Sequence, residues 1–154
     1  MTFRADILIR GLDSHTIAII EVKNRQDLSR NIAMILRRNM MAHGLFPQTL
    51  YFVLISQDIG FLWKGSEQEN LHAPPAVEFS MKQIMDRYLP EMNPEERLRG
   101  AELELLVLQW LTDLTWGSQE TIEEPEKSLA PSKFLEAIQG ATVTAEAQLY
   151  DRVR

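Results

Sequence analysis

Three side chains near the start of the chain have the types and spacing of a divalent-metal centre acting on a phosphodiester: Asp6, then Glu21 and Lys23 with a single residue between them. Two carboxylates offer hard oxygen ligands that suit Mg²⁺ or Mn²⁺ at roughly 2.1 Å. An ammonium group one pleat beyond the second carboxylate can hold a water or a phosphate oxygen as a point charge.

The elements that must position these groups are legible as a β-hairpin. Residues 5–10 (ADILIR) and 16–23 (TIAIIEVK) are rich in β-branched residues and are separated by the turn-forming Gly11, Leu12, Asp13 and Ser14. If Gly11 pairs with Ser14, even-numbered residues of the first strand oppose odd-numbered residues of the second. Asp6, Glu21 and Lys23 then share one face, and a slip of two residues preserves it. Opposed side chains have Cβ atoms about 5 Å apart, close enough for both carboxylates to reach one ion. A hairpin can also carry Asp, Glu and Lys merely to solvate one face. Ile17 and Ile19, expected on the Glu21 face, argue instead for a cleft that is apolar at one end and charged at the other.

The pattern of Asp6, then Glu21-Val22-Lys23 closing an apolar strand, then Asn24-Arg25 and a helix, resembles the PD-(D/E)xK nuclease superfamily. The resemblance covers roughly residues 3 to 65. It implies a restriction-endonuclease-like α/β (α+β) fold, a mixed central sheet flanked by helices. It also implies Asp6 and Glu21 as metal ligands, the Val22 carbonyl as a further ligand, Lys23 serving the attacking water, Mg²⁺ (or Mn²⁺) as cofactor and DNA as substrate. The chain departs from the family pattern in three places. Ala5 stands where a proline is usual, only five residues precede Asp6 where a helix and a strand are usual, and the helix after Lys23 lacks a Gln-x-x-x-Tyr element. A shortened fold or a partner subunit that supplies the missing part would account for this.

The chain has 154 residues, 45% hydrophobic and 25% charged, a size and balance that suit a single domain with a sizeable core. It contains no cysteine, which excludes disulfides, thiolate nucleophiles and Cys-ligated zinc. No apolar run approaches the roughly 20 residues that span a bilayer, and no signal-like segment precedes the first strand, so a cytoplasmic protein with no membrane partner is expected. Net charge is −6, but it is unevenly distributed. Residues 1–65 hold eight Lys or Arg against five Asp or Glu, whereas the remainder holds eight against seventeen. Arg4, Arg25 and Arg30 are the expected nucleic-acid contacts, being nearest the metal pair; Arg37 and Arg38 are read as solvating the outer face of a helix.

That helix should start at the N-cap Ser29 and end at Gly44, burying Ile32, Ile35, Leu36 and Met40 and leaving Asn31, Arg38 and His43 nearer solvent. A fully apolar strand over 49–56 and a partner over 61–64 complete a mixed sheet with a crossover helix. Trp63 is expected in the core rather than as a base-stacking platform.

The second half reads as helical, with an extension over about 80–116. Ser80 opens one helix, and Asn93-Pro94-Glu95-Glu96 offers an N-cap, an N1 proline and first-turn acids for the next. The helix over 98–114 carries Leu98, Leu103, Leu105, Leu106, Val107, Leu108, Trp110, Leu111 and Leu114, which cover most of its circumference. It is expected to lie between the sheet and another element, or to form a homodimer contact. An acidic loop over 117–131 and a short helix over 132–139 closed by Gly140 follow, and 141–147 forms an edge strand or a tail.

Isolated His15, His43 and His72, and the absence of a Gly-rich phosphate loop or a Gly-x-Ser-x-Gly elbow, leave no competing catalytic motif. A glycosidase would not need Lys23. Two readings remain: a Mg²⁺-dependent DNA endonuclease, and a catalytically inactive nuclease-fold module that binds or regulates a partner through its acidic half.

Overall fold

The computed structural model describes residues 5–42, 49–67, 70–117 and 123–145. Its centre is a six-stranded mixed sheet of β1 (Ile7–Arg10), β2 (Thr16–Val22), β3 (Tyr51–Ile55), β4 (Ile59–Lys64), β5 (Val77–Ser80) and β6 (Thr142–Ala145), in the order β5-β4-β3-β2-β1-β6. Only β2 and β3 run parallel, joined by the crossover helix α1 (Arg30–Ala42); the other neighbours are antiparallel. β3 is buried along its whole length, as its unbroken apolar sequence demands of a central strand. Both edge strands come from the second half of the chain, so that half supplies sheet as well as helix.

Helices cover both faces. On one, α1 packs Ile32, Ala33, Leu36 and Met40 over Leu8, Ile19, Phe52, Phe61 and Trp63. On the other, α2 (Lys82–Tyr88), α3 (Gly100–Trp116), a 3₁₀ segment (Glu126–Ser132) and α4 (Phe134–Ala137) cover Ile7, Ile9, Ile20, Val53, Leu62 and Phe79. α3 is the centre of this second layer, burying Leu103, Leu106, Val107, Trp110, Leu111 and Thr115. Intrachain packing thus accounts for most of its apolar circumference and leaves Leu105 and Trp116 exposed.

The hairpin has the expected parity with a two-residue slip: Leu8 opposes Ile19 and Ile7 opposes Ile20. A bulge between Ile9 and Arg10, which pair with Ala18 and Thr16, leaves Ile17 without a partner. Ile17 consequently packs with the α3 layer, not with Ile19 on the Glu21 face as the simple alternation implied.

Three further expectations are corrected. Ile35 is 45% exposed, while Arg37, read as a solvating residue, is 2% exposed. α1 is rotated so that the Arg37 guanidinium lies 5.3 Å over the Trp63 ring and donates to the Asn70 carbonyl at 3.0 Å. The Asn93 capping box forms, with the Asn93 N–H donating to Glu96 Oε1 and the Glu95 N–H to Asn93 Oδ1, but only a turn follows. The buried Gln57 side chain donates to the Glu96 carbonyl and accepts from the Leu98 N–H, each at 2.8 Å. With these backbone groups diverted, the helix restarts at Gly100 behind a second box between Arg99 and Glu102. Finally, residues 126–131 belong to the 3₁₀ segment rather than an acidic loop. Glu126 is 5% exposed there, bound to Arg87 and to the Trp110 Nε1–H.

Candidate metal centre

Asp6 lies one residue before β1 and Glu21 near the end of β2. Extending the ladder one step from Ile7 and Ile20 sets them opposite each other. The Val22 N–H donates to Asp6 Oδ2 at 2.7 Å, which pins the Asp6 carboxylate against the end of the second strand. Lys23 continues that strand by one pleat, because its N–H donates to the Ile55 carbonyl at 2.8 Å; it therefore returns to the Glu21 side. The structure brings Asp6, Glu21, Val22 and Lys23 together, as the spacing predicts.

Glu21 is 5% exposed, and its Oε1 is buried without a hydrogen-bond partner. Burial, reinforced by the Asp6 carboxylate and opposed by Lys23, pushes its carboxyl up to about 8. Glu21 therefore keeps its proton at neutral pH. Lys23 makes no ion pair among the described residues, so its ammonium is available for another anion. A divalent cation fits this donor set: it supplies the orphaned Glu21 oxygen with a partner and removes the repulsion between the two carboxylates. Among the described residues no cluster of three His, Cys, Asp or Glu side chains is present, so the carboxylate donors number two.

The expected nucleic-acid contacts are placed differently. Arg25 is held by Asp27 through a fork at 3.0 and 3.1 Å, and Arg30 by Glu78 through one at 2.8 and 3.1 Å. Each pairing raises the arginine and lowers its carboxylate. Arg4 lies outside the described residues. The Arg25 pairing was visible in the sequence two residues on; the Arg30 pairing was not, because Glu78 arrives from β5.

No protein-family model, no curated protein and no solved structure matches the chain. No helix among the described residues is long and apolar enough to cross a membrane.

Proposed function

We propose that this protein is a metal-dependent deoxyribonuclease with a restriction-endonuclease-like arrangement of its sheet, in which Asp6, Glu21 and the Val22 carbonyl hold Mg²⁺ or Mn²⁺. The observation that carries this reading is the opposed carboxylate pair with a buried, unpartnered oxygen and an unpaired lysine beside it. A bound divalent ion supplies a lowered pKa for an attacking water and takes up charge on the phosphate. The chain's own groups do the remainder. Asp6, fixed by the Val22 N–H, presents its other oxygen. Glu21 gives up its proton on binding, so cation uptake releases acid. Lys23 brings positive charge to the phosphate and holds the water for in-line attack.

A second reading, a catalytically inactive module of the same fold, is favoured by one observation. Arg25 and Arg30 already have carboxylate partners, which leaves the site with little free positive charge for a phosphate backbone.

Titration calorimetry of Mn²⁺ into wild type and Glu21→Gln, with plasmid nicking on the same samples, separates the two. For a nuclease, wild type binds one ion and nicks. Glu21→Gln and Asp6→Ala each lose binding and at least about 100-fold in nicking, the scale on which loss of a catalytic charge is felt. Nicking retained in either variant, or no binding by wild type, overturns the assignment.

A further inference from the structure

At the other end of the hairpin from Asp6 and Glu21, some five residues or about 16 Å along β2, the protein opens a cleft of about 950 Å³ that the proposed metal centre does not use. Its size is that of sites for small organic molecules. The floor is apolar. Ile17, turned to this side by the bulge, lines it together with Leu50, which is 58% exposed, and Tyr51. Tyr51 is fixed by donating its hydroxyl to the Ser132 carbonyl at 2.7 Å and by an edge contact with Phe134.

The rim is cationic. Lys64 makes no ion pair among the described residues, and Lys133 has only a loose one, with Glu136 at 3.8 Å. Asp13, the one acidic lining residue among those described, already accepts from the His15 N–H and ring. Backbone strain converges here as well. Ser14 and Lys133, with φ of 68° and 66°, are the two non-glycine residues with left-handed φ among those described. Ser14 lies in the turn between two lining residues, and Lys133 is itself a lining residue. Strain of this kind persists where surrounding structure enforces it and is concentrated at ligand clamps.

We propose that this cleft binds a small organic anion with an apolar body, the anionic group held by Lys64 and Lys133 and the body resting on Ile17, Leu50 and Tyr51. The charge of the rim selects the anion, and the floor selects against a fully hydrated one such as inorganic phosphate.

The test is fluorescence titration of the full chain with 1-anilinonaphthalene-8-sulfonate, an aromatic anion of this class. Near-UV circular dichroism is recorded in parallel to establish that the fold is native. Saturable one-to-one binding is expected, weakened at least tenfold in Lys64→Glu/Lys133→Glu and unchanged in Asp6→Ala. Displacement by octanoate identifies a fatty carboxylate as the natural class, and displacement by thymidine monophosphate a nucleotide. Lys133→Gly separates lost charge from lost fold: relieving the left-handed φ of 66° should raise the melting temperature, while removing a cation weakens probe binding. Non-saturable binding, equal binding by the charge-reversed protein, or unchanged binding by Lys133→Gly overturns the proposal. None of these outcomes bears on the metal centre, whose test is a different one.

Discussion

Glu21 and Glu126 are equally closed to solvent, 5% exposed each, though Glu21 lies deeper among protein atoms, and their carboxyls move in opposite directions. At Glu126 burial by itself would raise the group, but a two-pronged bond from Arg87 and a 3.0 Å bond from the Trp110 Nε1–H outweigh it and hold the group below its ordinary range. At Glu21 burial and the Asp6 charge act in the same direction, Lys23 offsets only part, and one oxygen has no partner. Exposure to solvent alone therefore does not fix the direction of the shift; depth and the completeness of the hydrogen-bond shell do. Glu126 ties α2, α3 and the 3₁₀ segment together and has no oxygen to spare. Glu21 is bonded only to Asp6 and has an oxygen in reserve.

The largest expected effect tests the structural side of that contrast. Glu126→Ala leaves the buried Trp110 indole N–H without an acceptor and Arg87 with only its 3.5 Å bond to the Glu124 carbonyl, and should cost up to about 3 kcal/mol in urea denaturation, the lower end of the range for breaking a fully buried ion pair. Because Arg87 keeps part of its access to water, a loss near 2 kcal/mol is compatible with the same account. A loss under about 0.5 kcal/mol would show that the shell around Glu126 is not what secures this layer.

The next effect runs the other way. The folded-state value for Glu21 lies above its ordinary 4.5, at about 8. Below pH 4.5 both the folded and unfolded chains carry the proton, and the group contributes no penalty. Between 4.5 and 8 only the folded chain retains it, so stability falls as pH rises, by up to about 1.4 kcal/mol per pH unit, and above 8 the loss is complete. Glu21→Gln removes the titration and should stabilise the metal-free protein at pH 8 by at least roughly 2 kcal/mol, with little change at pH 5. The slope sums to about 4 kcal/mol, and the cost of seating a buried amide beside Asp6 offsets the rest. The Glu126 contribution has the opposite window: it is complete above the ordinary carboxyl range and is lost as pH falls through its lowered folded value. Denaturation midpoints across pH 3 to 9 should therefore show Glu21→Gln pulling away from wild type as pH rises between 4.5 and 8, and Glu126→Ala approaching wild type only as pH falls below 4.5. Parallel profiles would remove the distinction.

Much of the Glu21 site was legible because it is local. A five-residue connection and the two-residue period of a strand are enough to place Asp6, Glu21 and Lys23 on one face, and a slip of two residues does not disturb it. The Ser29 cap was legible for the same reason, and its hydroxyl accepts from the Ile32 N–H. What escaped depends on partners far along the chain. Gln57 takes the backbone groups that the Asn93 turn would have used for a helix, and Arg87 gives Glu126 a reason to be buried. The Trp63 ring and the Asn70 carbonyl set the rotation of α1. The bulge that turns Ile17 toward the cleft left no mark in an alternating pattern, since Ile suits either face.

The smallest effect sharpens the comparison most, since it asks whether Lys23 is to Glu21 what Arg87 is to Glu126. Arg87 is locked to its carboxylate by direct bonds, whereas Lys23 acts on Glu21 through charge alone. Lys23→Met should raise the Glu21 midpoint above its wild-type value, read from the side-chain carboxyl resonance by NMR. At pH 6, where Glu21 carries its proton, the substitution should leave stability almost unchanged. At pH 9, where the carboxylate is ionised, it should cost about 0.5 to 1 kcal/mol. An equal cost at both pH values would mean that Lys23 is held by packing of its aliphatic stem, and its ammonium would then have no claim to be reserved for a phosphate.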